Sequence, residues 1–341
     1  MPYTTRNNYL DYLKGILIIL ITFAHAMQYL TYSNSTSELY MKNWDDRLFD
    51  FICIFDMPLF IAVSGYFTFF SINRYSFREY ALNRFLFLFI PMVSWSFVHA
   101  VIQVSISGNI VHLFAYAFTD ICRVYWFIWA IILHSMFIGL LNKLKMDNIY
   151  VLLGTLLISA FIPSGRLPYV LPIINTMYPF FVLGYIIASK KLHEQVIQNK
   201  SIVLSMIVAS FVLYLFWDNQ SNYYINSSGI DNMGFTLYRL LGGTFISVAV
   251  AIAFYYIYKK VGSFSITGFL IQAGKNSLTI YLAQMMLINI ITTYFYNQFY
   301  INESLLCIIP TLIFVIVINM IVHVLSKNKY TSIALLGKKQ S

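Results

Sequence analysis

Ten apolar stretches, most of them close to twenty residues long and separated by short polar or basic segments, run through this chain. A stretch of about 20 apolar residues reaches across the hydrocarbon core of a bilayer as one α-helix. In lipid the backbone can satisfy its N–H and C=O groups only within such a helix or a closed barrel. The predicted helices are 10–31, 49–71, 84–104, 124–141, 149–163, 171–189, 201–217, 235–258, 276–297 and 304–325. The stretch 110–121 is apolar but too short to span, which predicts an interfacial or re-entrant segment.

Composition agrees with this fold class. Of 341 residues, 59% are hydrophobic and only 10% charged, and the mean hydropathy is +0.71, outside the range of soluble domains. The longest polar loops, 32–48 and 218–234, are too short to build a core of their own. The expectation is one all-α, polytopic membrane helix bundle over 1–341. The first apolar stretch has no small-residue cleavage site and is too long for a signal-peptide core, so it is expected to stay in the membrane as an anchor.

The formal charge of +9 argues for membrane topology rather than nucleic acid. Arg6, Lys14, Arg74, Arg78, Arg84, Lys143, Lys145, Lys190, Lys191, Lys200, Lys259, Lys260, Lys275, Lys327, Lys329, Lys338 and Lys339 all fall on one side of a ten-helix arrangement. The opposite side holds Lys42, Arg47, Arg123 and Arg166, with Arg239 just inside a helix. The preference of Lys and Arg for the cytoplasm therefore predicts ten spans with both termini cytoplasmic.

Chemistry must come from polar groups among the helices. Cys53, Cys122 and Cys307 are widely spaced, form no zinc-type set and read as buried thiols. The chain has no G-x-S-x-G, Walker A, H-E-x-x-H, G-x-G-x-x-G or H-x4-D motif. What stands out is His25 in the first predicted helix. Eleven positions, close to three turns, separate it from Lys14, so both project from one face roughly 16 Å apart. An ionisable group at that depth is costly and faces a bundle interior or a polar path, either as a packing histidine or as a functional one.

Asp56, in the second predicted helix, lies roughly 10 Å below the outer surface, and His25 about 18 Å from the inner one, so their depths nearly coincide. A carboxylate beside an imidazole orients it and raises its basicity, as a general base requires; the alternative for Asp56 is a packing hydrogen bond. Arg74, Arg78 and Arg84 precede the third helix and suit either phosphate binding or membrane anchoring, with Arg84 at the helix entrance the stronger phosphate candidate. Arg123 and Arg239, near outer helix ends, suit either contact with an anionic or hydroxylated acceptor or snorkelling to the interface, and Trp126 with Trp129 either a sugar-stacking surface or ordinary interfacial anchoring. His99, His134 and His323 read as packing histidines.

Six blocks resemble the acyltransferase 3 family of bacterial membrane proteins, and within it the fucose 4-O-acetylase-like branch. They are Leu10-Asp11-Tyr12-Leu13-Lys14-Gly15 leading to His25; Met57-Pro58-Leu59-Phe60 with Ser64-Gly65-Tyr66; Arg84 with Pro91; Tyr125-Trp126-Phe127-Ile128-Trp129; Tyr178-Pro179-Phe180-Phe181 with Gly184-Tyr185; and Asn276-Ser277-Leu278 with Ile280-Tyr281-Leu282. Lys14 stands where many relatives carry Arg, Phe87 where a second basic residue often follows Arg84, and Asp56 and Gln284 where branch members often show His.

The resemblance implies an O-acetyltransferase of the bacterial inner membrane. Acetyl-CoA would be a donor substrate rather than a bound cofactor, used at the cytoplasmic side to acylate a sugar hydroxyl of a surface polysaccharide or its lipid-linked precursor. His25, with Asp56, would act on the hydroxyl; Lys14, Arg84 and Arg78 would hold the CoA phosphates; Trp126, Arg123 and Arg239 would meet the acceptor. Two other functions fit the same residues: an acyltransferase acting on a lipid or protein, and a transporter moving a glycan or protons past His25 and Asp56. A transporter is disfavoured by the lack of repeat symmetry and of interrupted helix pairs.

Overall fold

The computed structural model describes residues 8–30, 46–163, 167, 170–218, 221, 223, 228–262, 264–295 and 304–338. Arg6, Lys42, Arg166, Lys339 and most of the 32–48 loop lie outside the described residues. Helices account for nearly all of the rest, and no strand occurs among the described residues. In chain order they are α1 (Asn8–Leu30), α2 (Arg47–Arg74), α3 (Phe77–Ser107), α4 (Leu113–Thr119), α5 (Trp126–Lys143), α6 (Ile149–Phe161) and α7 (Leu171–Ser189). There follow α8 (Leu192–Gln198), α9 (Lys200–Leu215), α10 (Met233–Val261), α11 (Ser265–Lys275), α12 (Ser277–Phe295), α13 (Ile308–Leu325) and α14 (Lys329–Leu336).

Local sequence sets these boundaries. The Asp46 carboxylate caps α2 by accepting from the Leu48 and Phe49 amides, and Ser76 with Glu79 forms a reciprocal capping box at the start of α3. That box starts α3 seven residues earlier than the apolar pattern predicts. Arg84, expected at the helix entrance, is therefore two turns inside it, where a π-helical turn follows at Phe85–Phe89.

All ten predicted segments are helical, but not all are full spans. Among the described residues seven helices are long and apolar enough to cross a membrane, or eight if a bent pair counts as one span. The two short ones are α6 and the apolar part of α12, Ser277–Thr292. The bent pair is α8 and α9, which meet at 95° where Asn199 caps α9. An interrupted helix was not expected from the sequence; its cause is the polar break around Asn199, and none of its residues lines the cavity described below. The 110–121 stretch forms short helical turns with Ile110, Val111, Phe114 and Phe118 exposed, as an interfacial segment requires.

The tightest packing joins α2 to α7 and α1 to α11. Glycines make both contacts possible, as small residues do between membrane helices. A Cβ on Gly65 would sit 2.0 Å from the Phe181 carbonyl oxygen, and one on Gly184 would sit 1.9 Å from that of Ala62. Gly15 and Gly274 do the same for α1 and α11: their missing Cβ atoms would lie 1.9 Å from Leu270 O and 1.8 Å from Asp11 O. Gly65 with Gly184 and Gly15 with Gly274 thus bring their helices together backbone against backbone, which fixes the depth of α1 and α2 in the bundle.

Candidate active site

α1 and α2 run side by side in opposite directions. Lys14 Nζ lies 5.2 Å from the centre of the Phe67 ring. Eleven residues on from Lys14 is His25, and eleven back from Phe67 is Asp56, so the antiparallel register brings His25 and Asp56 to one level. Both line a cavity of about 320 Å³. α1 contributes Ile21, Ala24, His25, Gln28 and Tyr29, a set at helical spacing that puts one face of α1 on the cavity. α2 adds Phe49, Cys53, Asp56 and Met57; Tyr281 and Met285 come from α12. Arg123, Val124, Tyr125 and Trp126 close the remaining wall.

That last wall is held by a network over which the sequence gives no direct sight. Asp120 begins the π-helical turn that carries Arg123. Its Oδ2 lies 2.5 Å from His99 Nδ1, while His99 Nε2 accepts from Gln103 Nε2 at 3.0 Å and Asn289 Nδ2 at 2.8 Å. Two amide donors at Nε2 leave the ring proton at Nδ1, donated to the carboxylate. His99 is therefore a packing histidine, but one that anchors the cavity wall to α3 and α12. Two tyrosines add a crossed pair: Tyr125 Oη donates to Leu282 O at 2.9 Å, and Tyr281 Oη to Val124 O at 3.3 Å. Trp129 Nε1 donates to Ile121 O, so Trp129 pins this segment and only Trp126 of the two tryptophans faces the cavity.

Asp56 shares the cavity with His25, but no hydrogen bond or ion pair joins them; its Oδ1 instead accepts from the Met57 amide at 2.6 Å. Pro58, two residues on, has no N–H for the carbonyl of Ile54. The hydroxyl of Tyr223 lies 3.3 Å from that freed oxygen and 3.2 Å from Arg239 O. Arg239 differs in place from its sequence expectation. It is buried, donates from Nε to Ser221 O and from Nη1 to Ser228 Oγ, and does not line the His25 cavity. Its position at a helix end suggested exposure, but its guanidinium is turned inward to Ser221 and Ser228.

At the other end of α1, Lys14 and Arg84 come to adjacent residues of α2. Lys14 pairs with the buried Asp11 carboxylate at 2.9 Å and faces Phe67. Arg84 Nη2 donates to Thr68 Oγ1 at 3.3 Å, and its guanidinium lies over the Tyr80 ring. Arg78 is exposed. Of the other two histidines expected to pack, His134 lies between Tyr178 and Phe181 and donates to Ile174 O, whereas His323, on the outward face of α13, is exposed. Cys53 and Cys307 are buried and Cys122 half-buried, and none of the three forms a disulfide among the described residues.

A family model described as an acyltransferase domain matches residues 7–323. The chain belongs to this acyltransferase family. It is a multi-pass membrane protein and an acyltransferase. Two relatives are proteins called nodulation protein NolL. The one from Mesorhizobium japonicum is 28% identical over 288 residues, covering 80% of this chain and 74% of the relative. The one from Sinorhizobium fredii is 26% identical over 286 residues, covering 80% and 76%. No solved structure matches. Membership of the acyltransferase family removes the transporter as the leading alternative and gives the His25 cavity its context. Tyr125 and Tyr281, absent from the sequence candidates, each lie inside one of the family-like blocks, which was the available signal for them.

Proposed function

We propose that this membrane acyltransferase is an O-acetyltransferase of a bacterial inner membrane, in the fucose 4-O-acetylase-like branch, taking its acyl group from cytoplasmic acetyl-CoA. The acceptor is a sugar hydroxyl of a cell-surface polysaccharide or its lipid-linked precursor. The chain crosses the membrane ten times with both termini cytoplasmic, α6, α12 and the bent α8–α9 pair serving as the shorter crossings.

The observation that carries this proposal is one helix bearing a cationic end and a histidine-lined cavity roughly 16 Å apart. Lys14 and Arg84, with Arg78 at the rim, receive the CoA phosphates. His25 removes the proton from the acceptor hydroxyl, the oxygen attacks the thioester carbonyl, the C–S bond breaks, and the proton passes from the imidazolium to the CoA thiolate. Arg123 and Trp126 hold the acceptor: the guanidinium meets its oxygens, and the indole stacks on a sugar face. Asp56, level with the imidazole, stabilises the imidazolium across the cavity.

Purified protein in liposomes tests the reaction by acceptor-dependent release of free CoA, with the acetylated glycan identified by mass. His25→Ala is expected to lower release by at least about 10²-fold, the usual worth of a positioned general base. A correctly inserted His25→Ala protein working at the wild-type rate refutes the proposal.

A further inference from the structure

Behind His25, away from the cavity, three side chains form a set whose hydrogen bonds do not all close while the Gln284 oxygen faces Thr22. Thr22, one turn earlier on α1, and Gln284 of α12 are both fully buried. Thr22 Oγ1 lies 2.8 Å from Ile18 O and 2.7 Å from Gln284 Oε1. Both of those neighbours are acceptors, and a hydroxyl has a single hydrogen to give. The Gln284 side chain is within interaction range of the His25 side chain, which lies one turn beyond Thr22 on α1. Here Gln284 Nε2 and His25 Nδ1 are buried with no hydrogen-bond partner. One shared acceptor conflict and two orphaned nitrogens in a single buried cluster is costly, because each unsatisfied group forfeits its solvation.

A half-turn of the Gln284 amide removes all three faults. Amide oxygen and nitrogen are distinguished by the network around them. With the nitrogen toward Thr22, Nε2 donates to Oγ1, and the Thr22 hydrogen goes to Ile18 O. The amide oxygen then faces His25 Nδ1, which must carry a proton to meet it. The opposite arrangement, with Gln284 donating to Nδ1, keeps the conflict at Thr22 and puts the imidazole proton on Nε2. Because Nδ1 is the buried edge of the ring, Nε2 is the edge left to the cavity.

We propose that Gln284, held by Thr22, is the positioning residue that fixes His25 as the Nδ1–H tautomer, so that Nε2 presents its lone pair to the acceptor hydroxyl. This deepens the proposed reaction and rests on it for its consequence, but the tautomer itself does not. Gln284 replaces the carboxylate that usually orients a catalytic imidazole. A neutral amide fixes the tautomer without an added charge, which leaves Asp56 free to act across the cavity rather than at Nδ1.

Nitrogen-15 NMR of histidine-labelled, donor-free protein, with the His25 signals assigned by their loss in His25→Ala, reads the tautomer directly at a pH where the ring is neutral. The expected result is a protonated Nδ1 and a bare Nε2; a protonated Nε2 overturns the proposal. Gln284→Met, close in shape and without polar atoms, is expected to shift His25 toward the Nε2–H form. It should lower kcat on the order of 10²-fold while the acceptor KM stays within about threefold. Thr22→Val removes only the anchor of the amide, is the gentler variant if Gln284→Met does not insert, and is expected to change the tautomer and kcat in the same direction by about tenfold. Retention of a protonated Nδ1 in both variants overturns the proposal. A protonated Nδ1 that depends on Gln284, in a protein releasing no CoA with any glycan acceptor, would instead leave the positioning role standing and refute the proposed reaction.

Discussion

Replacing Gly15 by alanine adds one methyl group at the tightest point between α1 and α11. Its carbon would lie 1.9 Å from Leu270 O, 2.7 Å from Leu270 C and 3.1 Å from Gly274 N. All three are backbone atoms, so no side chain can swing aside. Ordinary contact begins near 3.4 Å, which requires α1 and α11 to separate by roughly 1.5 Å at this level. Overpacking of this kind costs about 1–3 kcal/mol. The consequence for turnover is larger than for stability, because α1 carries both Lys14 and His25, and a misplacement of about 1 Å can cost on the order of 10²-fold in rate. The assay is acceptor-dependent CoA release alongside thermal unfolding in detergent. Gly268→Ala is the control: it sits on the same α11, and its added carbon would meet nothing within 4 Å. Gly15→Ala with the turnover and the unfolding midpoint of Gly268→Ala would refute the claim that backbone contact sets the position of α1.

Two other changes separate the ends of the site. Asp120→Ala leaves the His99 Nδ1–H without its acceptor, with an expected stability loss of about 1–3 kcal/mol and a raised acceptor KM as the Arg123 and Trp126 wall loosens; Asp120→Asn, which restores an acceptor, is expected to recover most of both, measured by unfolding and initial rates. Lys14→Gln is expected to raise the KM for acetyl-CoA by about tenfold and to leave the acceptor KM unchanged, which initial rates at varied donor concentration will check.

The sequence carried the fold through one property, the length of its apolar runs, and the seven helices long enough to cross a membrane were legible for that reason, together with the shorter α6 and α12. What it could not carry was where each helix would stop. The capping box of Ser76 and Glu79 extends α3 past the apolar boundary, and α8 forms over Leu192–Gln198, a polar stretch in which the apolar pattern predicts no helix. The site shows the same division. His25 and Asp56 were found together because depth follows from counting residues along two antiparallel helices. Trp126 reached the cavity because it begins α5, and Arg123 because the π-helical turn just before α5 carries it. Arg239 did not, since its partners Ser221 and Ser228 belong to a loop with no periodic signal. The His99–Asp120 pair, between residues 21 positions apart, and the Thr22–Gln284 contact, between residues 262 apart, depend on pairing between helices, which periodicity within either helix does not encode.

α1 runs 23 residues without a proline or a break, and Gly15 and Gly274 clamp it against sliding. Such a helix is a ruler. The gap between its two functional marks is set by residue count, so deleting one residue between them would shorten it by about 1.5 Å and turn one mark by about 100° relative to the other. In the proposed reaction that gap must match the arm of the donor from anchored phosphate to thioester carbonyl, a length every acyl-CoA shares. The eleven-residue spacing from Lys14 to His25 would then set where the carbonyl stops and leave the choice of acyl group to the walls of the cavity.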